Sequence, residues 1–295
     1  MGLIQREFSE QLLHFARTHK FFDFMRKGMA AGEILPCLRK NEIHFYEGGA
    51  RLFSFSPQSV STHRRYVDKE GSGYRALRES EENLSTFERI RKTAREHRSE
   101  NTSSELAAVH RLFKACAVTA SDYKYGQLAL VDVEARFGKD DTENLRTKMI
   151  DLVFIMPDRR VLFIEAKCLG NQDLASSGMA KVEAQVKDYE GHISHACVLD
   201  AINRSIQAQF QLIGSPVELA TGIFPRVPVL LLDPSVPKRR IGPKNTWLHN
   251  RLKEASDWNI KSERPVVIDG RSDQLMKIRE FVEKVTGSGH LEPST

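Results

Sequence analysis

The chain has 295 residues and carries 44 Lys and Arg against 39 Asp and Glu, which gives a formal net charge of +5 at pH 7. This excess of positive charge suits a polyanionic partner but does not require one. No run of about 18 apolar residues occurs, so the sequence predicts no membrane span. Arg6, Glu7 and Glu10 interrupt the segment where a secretory signal would need its apolar core, so a cytoplasmic location is expected.

The cysteines contain no CxxC pair, which disfavours a structural zinc site and favours a reducing compartment. They are Cys37, Cys116, Cys168 and Cys197. We expect these thiols to be buried or incidental.

Residues 1–98 are predicted to form an accessory α+β region. Its elements are expected in the order helix 5–27, hairpin 42–57, loop 67–73 and helix 81–98. The hairpin is predicted because apolar residues flank Gly48-Gly49, a pair that can adopt positive φ. The charges of the last helix are nearly balanced, which favours a solvated face over a phosphate-binding one.

Residues 99–235 show the pattern of an α/β core. The expected elements are a helix with its N-cap at Ser103 or Ser104, strands 126–137, 148–156 and 161–167, a helix over 179–193, a second helix to about 212, and a strand over 226–234. This order predicts a mixed central sheet flanked by helices. Residues 236–295 are predicted to be a basic C-terminal extension.

The segment KMIDLVFIMPDRRVLFIEAKCLG, residues 148–170, places ionisable side chains at the ends of two apolar strands. Such groups cost several kcal/mol to bury unless they are paired or bound to metal. A two-residue turn would put Asp151 on the face opposite Glu165 and Lys167, whereas an odd loop gathers all three on one face. We therefore predict a loop of three or five residues and two adjacent carboxylates that a hard divalent cation can hold.

Asp151 on one strand and Glu165-Ala166-Lys167 on the next resemble the signature of the PD-(D/E)xK nuclease superfamily. Asp122-Tyr123-Lys124 also satisfies (D/E)xK, but no apolar strand leads into it. Strand context therefore favours the first assignment.

Gln185 and Tyr189 lie four residues apart on the next predicted helix and so share one face. This spacing resembles the QxxxY motif of the RecB-like branch of the superfamily. The resemblance covers about residues 100–235 and implies a restriction-endonuclease-like core. Because no cysteine follows Cys197, the iron–sulfur cluster of some RecB-like members is not expected.

The resemblance implies phosphodiester hydrolysis with Mg²⁺ or Mn²⁺. The implied metal ligands are Asp151, Glu165 and the carbonyl oxygen of Ala166. Lys167 would orient the attacking water and contact the scissile phosphate, and Gln185 and Tyr189 would position the substrate.

The family usually supplies a further acid from the helix that precedes the strands. Glu105 fits this position, although a Glu in the first turn of a helix is also favoured by the helix dipole alone. Glu134, on the strand before Asp151, is the alternative.

The C-terminal extension carries a basic segment. Its proposed phosphate contacts are Lys238, Arg239, Arg240 and Lys244. Trp247 could stack on a base, and a solvated basic loop is the alternative.

These features together predict a metal-dependent DNA nuclease that acts in defence against foreign DNA or in recombination and repair. The accessory region could recognise a target or a protein partner. The alternatives are an inactive nuclease-fold protein that binds nucleic acid or acts as a scaffold, and a nuclease that acts on RNA.

Overall fold

The computed structural model describes residues 9–39, 41–48, 50–68, 71–100, 112, 116, 126–136, 149–168, 179–213, 219–232 and 274–287. Within these ranges the chain forms seven α-helices and two five-stranded sheets, which is a mixed α/β architecture. Among the helices that the structure describes, we find none that could span a lipid bilayer.

Two helices, not one, occupy the N-terminal segment. α1 (Glu10–Thr18) and α2 (Lys20–Ala30) are separated by His19, whose ψ of 132° is extended. The ring nitrogen Nδ1 of His19 accepts a hydrogen bond from the backbone N–H of Phe21 at 3.2 Å. The continuous helix predicted over 5–27 is therefore wrong, because this side-chain cap ends one helix and begins the next.

The first sheet is an antiparallel meander in the order β1-β2-β3-β4-β5. Its strands are β1 (Ile34–Arg39), β2 (Glu42–Glu47), β3 (Ala50–Ser56), β4 (Ser59–His63) and β5 (Tyr74–Ala76). β2 and β3 confirm the predicted hairpin, and Gly48 in its turn has φ 54°. β1, β4 and β5 were not predicted.

Helices cover one face of the first sheet. The chain continues through α3 (Arg64–Val67), a 3₁₀ turn (Glu79–Glu81) and α4 (Leu84–Glu100), so α3 begins just before the predicted loop and α4 confirms a helix over most of 81–98. α1, α2 and α4 pack on the sheet through an apolar core that contains Phe21, Phe53 and Phe87. The rings of Phe53 and Phe87 are stacked, with centroids 5.7 Å apart.

The second sheet is mixed, as predicted. Its strands are β6 (Ala129–Arg136), β7 (Met149–Ile155), β8 (Arg160–Cys168), β9 (Gly222–Ile223) and β10 (Val229–Leu232). β6, β7 and β8 are antiparallel neighbours, whereas β9 and β10 pair with β8 in parallel. Between β8 and β9 lie α5 (Met179–Ile193) and α6 (Ala196–Ile213), which match the two predicted helices.

Alternation along β7 and β8 gives the second sheet two apolar faces. Val153 and Phe163 point to the face covered by α5 and α6. Leu152 and Ile164 point to the opposite face, where they meet Ile278 of α7 (Gln274–Thr286). Because side chains alternate, Asp151 and Glu165 belong to the α5 face. α7 lies in the segment that was predicted only as a basic extension.

The two sheets meet where β1 lies beside β6. The side-chain amide of Gln209 on α6 donates to the carbonyl oxygens of Pro36 and Val131, both at 2.7 Å. The Arg39 guanidinium donates to Asp132 Oδ1 at 2.9 Å and to the Val133 carbonyl at 2.5 Å. Side chains therefore join two strands that do not pair through their backbones.

Candidate functional site

The hairpin loop between β7 and β8 has an odd number of residues, as predicted. Met156 donates its N–H to the Arg160 carbonyl at 2.9 Å, which leaves three residues, Pro157 to Arg159, in the loop. Arg159 occupies the left-handed region with φ 66°. Its Nη2 donates to the Leu219 carbonyl at 2.7 Å, which holds this otherwise unfavourable conformation.

This loop sets the register that brings the two carboxylates together. Leu152 pairs with Ile164, so the next residues along the ladder, Asp151 and Glu165, are neighbours on one face. Asp151 Oδ2 accepts a hydrogen bond from the backbone N–H of Ala166 at 2.8 Å. The half-buried aspartate side chain is therefore fixed to β8 at the point where the β7–β8 ladder ends.

Glu165 and Lys167 form a buried ion pair on the same face of β8. The ammonium Nζ lies 2.5 Å from Glu165 Oε1, and the two residues are 1% and 7% exposed. Val229 and Leu231 of β10 lie beside them in the parallel ladder. The two charged groups are therefore buried, on a strand that lies between β7 and β10, and are not solvated at a strand end.

Helix α5 adds two polar side chains to this pair. Gln185 Nε2 donates to Glu165 Oε1 at 2.8 Å and to the Tyr189 hydroxyl at 2.7 Å. The Tyr189 hydroxyl in turn donates to the carbonyl oxygen of Met149 on β7. Because an ionised carboxylate only accepts, the amide nitrogen of Gln185 must face Glu165, and the network fixes its orientation.

Burial and charge keep Tyr189 protonated. The residue is 2% exposed, and burial together with the negative charge of Glu165 raises the pKa of its phenol, although the hydrogen bond from Gln185 opposes this. A protonated phenol can donate to Met149 while it accepts from Gln185. Tyr189 is therefore suited to hold Gln185 in place and not to act as a base.

Among the described residues of the site, two carboxylates and one ammonium in their ionised forms would leave one net negative charge. Two adjacent carboxylates are hard oxygen donors of the kind that Mg²⁺ prefers. In the part of the chain that the structure describes, no group of three or more His, Cys, Asp or Glu residues is placed to hold a metal ion. A cation here would rely on the carboxylate pair and on groups such as the Ala166 carbonyl.

The structure brings together five of the residues predicted for the site. Asp151, Glu165, Lys167, Gln185 and Tyr189 lie together where the β7–β8 ladder ends, and Ala166 provides the N–H that binds Asp151. The side chain of Glu134, on β6, lies outside the described residues. So do Glu105 and the proposed phosphate contacts Lys238, Arg239, Arg240 and Lys244.

Sequence reasoning missed two backbone partners in this network, the carbonyl of Met149 and the N–H of Ala166. The only available signal was position, because Met149 lies two residues before Asp151 at the start of the same strand. The cysteines agree with expectation where they are described, since Cys37 and Cys116 are buried free thiols and Cys197 is a half-buried one.

Fold and site together define a mixed α/β protein whose second sheet carries a buried ionic network on β8, between β7 and β10. The sequence matches no protein-family model, no curated protein and no solved structure.

Proposed function

We propose that the chain is a metal-dependent nuclease with a restriction-endonuclease-like core that hydrolyses phosphodiester bonds in DNA. The observation that carries this proposal is the hydrogen-bonded network of Glu165, Lys167, Gln185 and Tyr189 beside Asp151. A buried ion pair is rarely more stabilising than apolar residues of the same volume, so stability alone is a poor reason for it. Buried, hydrogen-bonded ionisable groups are concentrated at the catalytic sites of proteins.

The residues present fit a divalent cation. Asp151 and Glu165 would hold Mg²⁺ or Mn²⁺, together with the carbonyl oxygen of Ala166. Bound there, the cation would neutralise charge that develops on the phosphate oxygens during attack.

The protein's own side chains would bind the phosphate and the attacking water and would orient the metal ligand. Lys167 is anchored by Glu165, and its ammonium would hold a phosphate oxygen and an attacking water. Gln185 fixes the direction in which Glu165 Oε1 points, and Tyr189 fixes Gln185. Tyr189 and Gln185 are thus positioning residues, and Lys167 contacts the reacting groups.

A cleavage assay tests this proposal. Purified protein is incubated with circular, linear and single-stranded DNA and with RNA, in Mg²⁺, in Mn²⁺ and in EDTA. We expect cleavage of DNA that EDTA abolishes, and a loss of roughly 100-fold or more in Asp151→Ala, Glu165→Ala and Lys167→Ala. Lys187→Ala, which removes an exposed lysine from α5, is the matched control and should retain the wild-type rate.

Each unexpected outcome has a definite meaning. Wild-type cleavage by Asp151→Ala would remove the assignment of this site. Binding of DNA without cleavage in either ion would favour the inactive nuclease-fold alternative, and cleavage of RNA alone would change the substrate.

A further inference from the structure

A group of basic and aromatic side chains lies on the first sheet, remote in sequence from the carboxylate site. Its members, called here the His63 cluster, are Arg51, His63, Arg65, Tyr66, Tyr74 and His97. His63 at the end of β4 pairs directly with Tyr74 on β5, so their side chains share one face of the sheet. The chain folds back through α3 and places Tyr66 beside them.

The rings of the His63 cluster are held in contact with one another. His63 meets Tyr74 edge-on, with centroids 5.2 Å apart, and lies 5.5 Å from the ring of Tyr66. The Arg51 guanidinium lies over the Tyr74 ring, 3.6 Å from its centroid. A close cation–π contact of this kind fixes the orientation of a tyrosine without burying it.

Tyr74 is nonetheless one of the few exposed large hydrophobic side chains among the described residues. It is 41% exposed, although its ring is packed against Arg51 and His63. An aromatic ring that is both oriented and accessible is a surface on which another flat group can stack. Exposure and order together distinguish it from a tyrosine that merely fills a core.

The electrostatic surroundings of the His63 cluster are positive. Burial and the nearby charges of Arg65, Arg51 and His97 all lower the pKa of His63. The neighbouring acids are engaged elsewhere. Arg75 binds Asp68 at 2.9 Å and Glu81 at 2.8 Å, and Glu42, which also lies near Arg51, is bonded to His44 at 2.7 Å.

We propose that the His63 cluster binds single-stranded nucleic acid, with a base stacked on Tyr74 and backbone phosphates held by Arg51 and Arg65. Basic side chains interleaved with accessible aromatic rings are the features by which proteins hold unpaired strands. An acidic peptide would satisfy the charges but would leave the aromatic platform without a role. This inference rests on the proposed nuclease function, because it assigns nucleic acid as the ligand of the accessory region as well.

Binding is measured in EDTA, so that no cleavage occurs. Fluorescence anisotropy of a fluorescein-labelled oligothymidylate reports affinity for the full-length protein and its variants. We expect Tyr74→Ala to weaken binding by roughly 5- to 100-fold, the range that one stacked base supplies, and Tyr74→Phe to bind as the wild type does. Arg51→Ala and Arg65→Ala should each reduce the slope of log affinity against log salt by about 0.7.

Matched controls separate this surface from general effects. Leu84→Ala removes another exposed apolar side chain, and Arg26→Ala removes an exposed arginine from α2; both should bind as the wild type does. Circular dichroism of each variant reports whether the fold is kept.

Three results would overturn the proposal. They are unchanged affinity in Tyr74→Ala and Arg51→Ala, equal losses in the Leu84 and Arg26 controls, and tighter binding to a phosphotyrosine peptide than to the oligonucleotide. A failure of wild-type protein to cut DNA in Mg²⁺ would instead count against the nuclease proposal and would leave this binding measurement intact.

Discussion

Glu165 is the residue at which the candidate site is most tightly constrained. One oxygen, Oε1, receives hydrogen bonds from both Lys167 and Gln185, at 2.5 Å and 2.8 Å. The Lys167 ammonium therefore lies beside the Glu165 carboxylate, where a divalent cation would also bind. Lys167 acts as the counter-ion of Glu165 and, by the same charge, competes with a metal for it.

Removal of this competitor should separate metal binding from catalysis. We expect Lys167→Met to bind Mn²⁺ at least about tenfold more tightly, since two unit charges 4 Å apart interact by about 4 kcal/mol at an effective dielectric of 20. The same variant should not cut DNA. Isothermal titration calorimetry at pH 8 measures the affinity, and Lys187→Met is the control that leaves it unchanged. An affinity equal to or weaker than that of the wild type would contradict a cation site at Glu165.

The Tyr189 hydroxyl should contribute to stability as well as to position. Tyr189→Phe leaves the Met149 carbonyl and one N–H of Gln185 without their partner, which should lower the free energy of unfolding by about 1–2 kcal/mol. Urea unfolding measures this loss. Because Gln185 then orients Glu165 less firmly, kcat should fall while the fold is retained. A fall in kcat with no change in stability would mean that Tyr189 contacts the substrate itself.

Among the helices and strands, sequence pattern was most informative where an apolar run or an apolar helical face is bounded by turn residues. β7, β8 and α5 were placed to within one or two residues, and the end of α6 to within one, because apolar pattern and turn residues agree. β1 was missed because it is short and contains Pro36, which disfavours the assignment of a strand. β4, SVSTH, was missed because it is short and largely polar.

Only part of the candidate site could likewise be predicted from the sequence. The odd loop was predicted because only an odd number of loop residues places Asp151 and Glu165 on one face, as a shared site requires. The spacing of Gln185 and Tyr189 predicts that they share a helical face. A backbone group such as the Met149 carbonyl has no residue-type signature, so only coordinates identify it as a partner of Tyr189.

The hairpin loop depends on the left-handed backbone of Arg159. Arg159→Gly should be tolerated, because glycine adopts φ 66° without strain and offsets the lost bond to Leu219. Arg159→Val should be less stable than Arg159→Gly by about 1–2 kcal/mol, because a β-branched residue is strained in this region. Urea denaturation of the two variants gives the difference. Equal stability would show that the loop can adopt another conformation without cost.

At the scale of the whole molecule, buried polar groups join the two sheets. Arg39 and Asp132 have side chains 10% and 3% exposed, and they connect β1 to β6. The nearby charge of Asp132 raises the pKa of the Arg39 guanidinium against the opposing effect of burial, so the pair stays ionised. The apolar cluster around it includes residues from both sheets, among them Cys37, Tyr46 and Leu130.

Breaking this pair should destabilise the whole protein. We expect Asp132→Ala to cost about 3–5 kcal/mol, because it leaves a buried guanidinium without its counter-charge. The double variant Arg39→Met/Asp132→Leu should cost less than Asp132→Ala. Asp23→Ala, which breaks the exposed pair with Arg26, is the control and should cost less than about 1 kcal/mol. Urea unfolding of all three gives the comparison, and a double variant as unstable as the single one would refute the charge explanation.

The contact between β1 and β6 limits which truncated forms of this protein can fold. A fragment that starts at residue 99 would lose Pro36, Arg39 and the apolar side chains of β1. The apolar side chains of β6 would then be exposed to solvent. It would also leave Asp132 without its cation. Such a fragment should aggregate, so the first sheet has to accompany residues 99–235 in any shortened version of the protein.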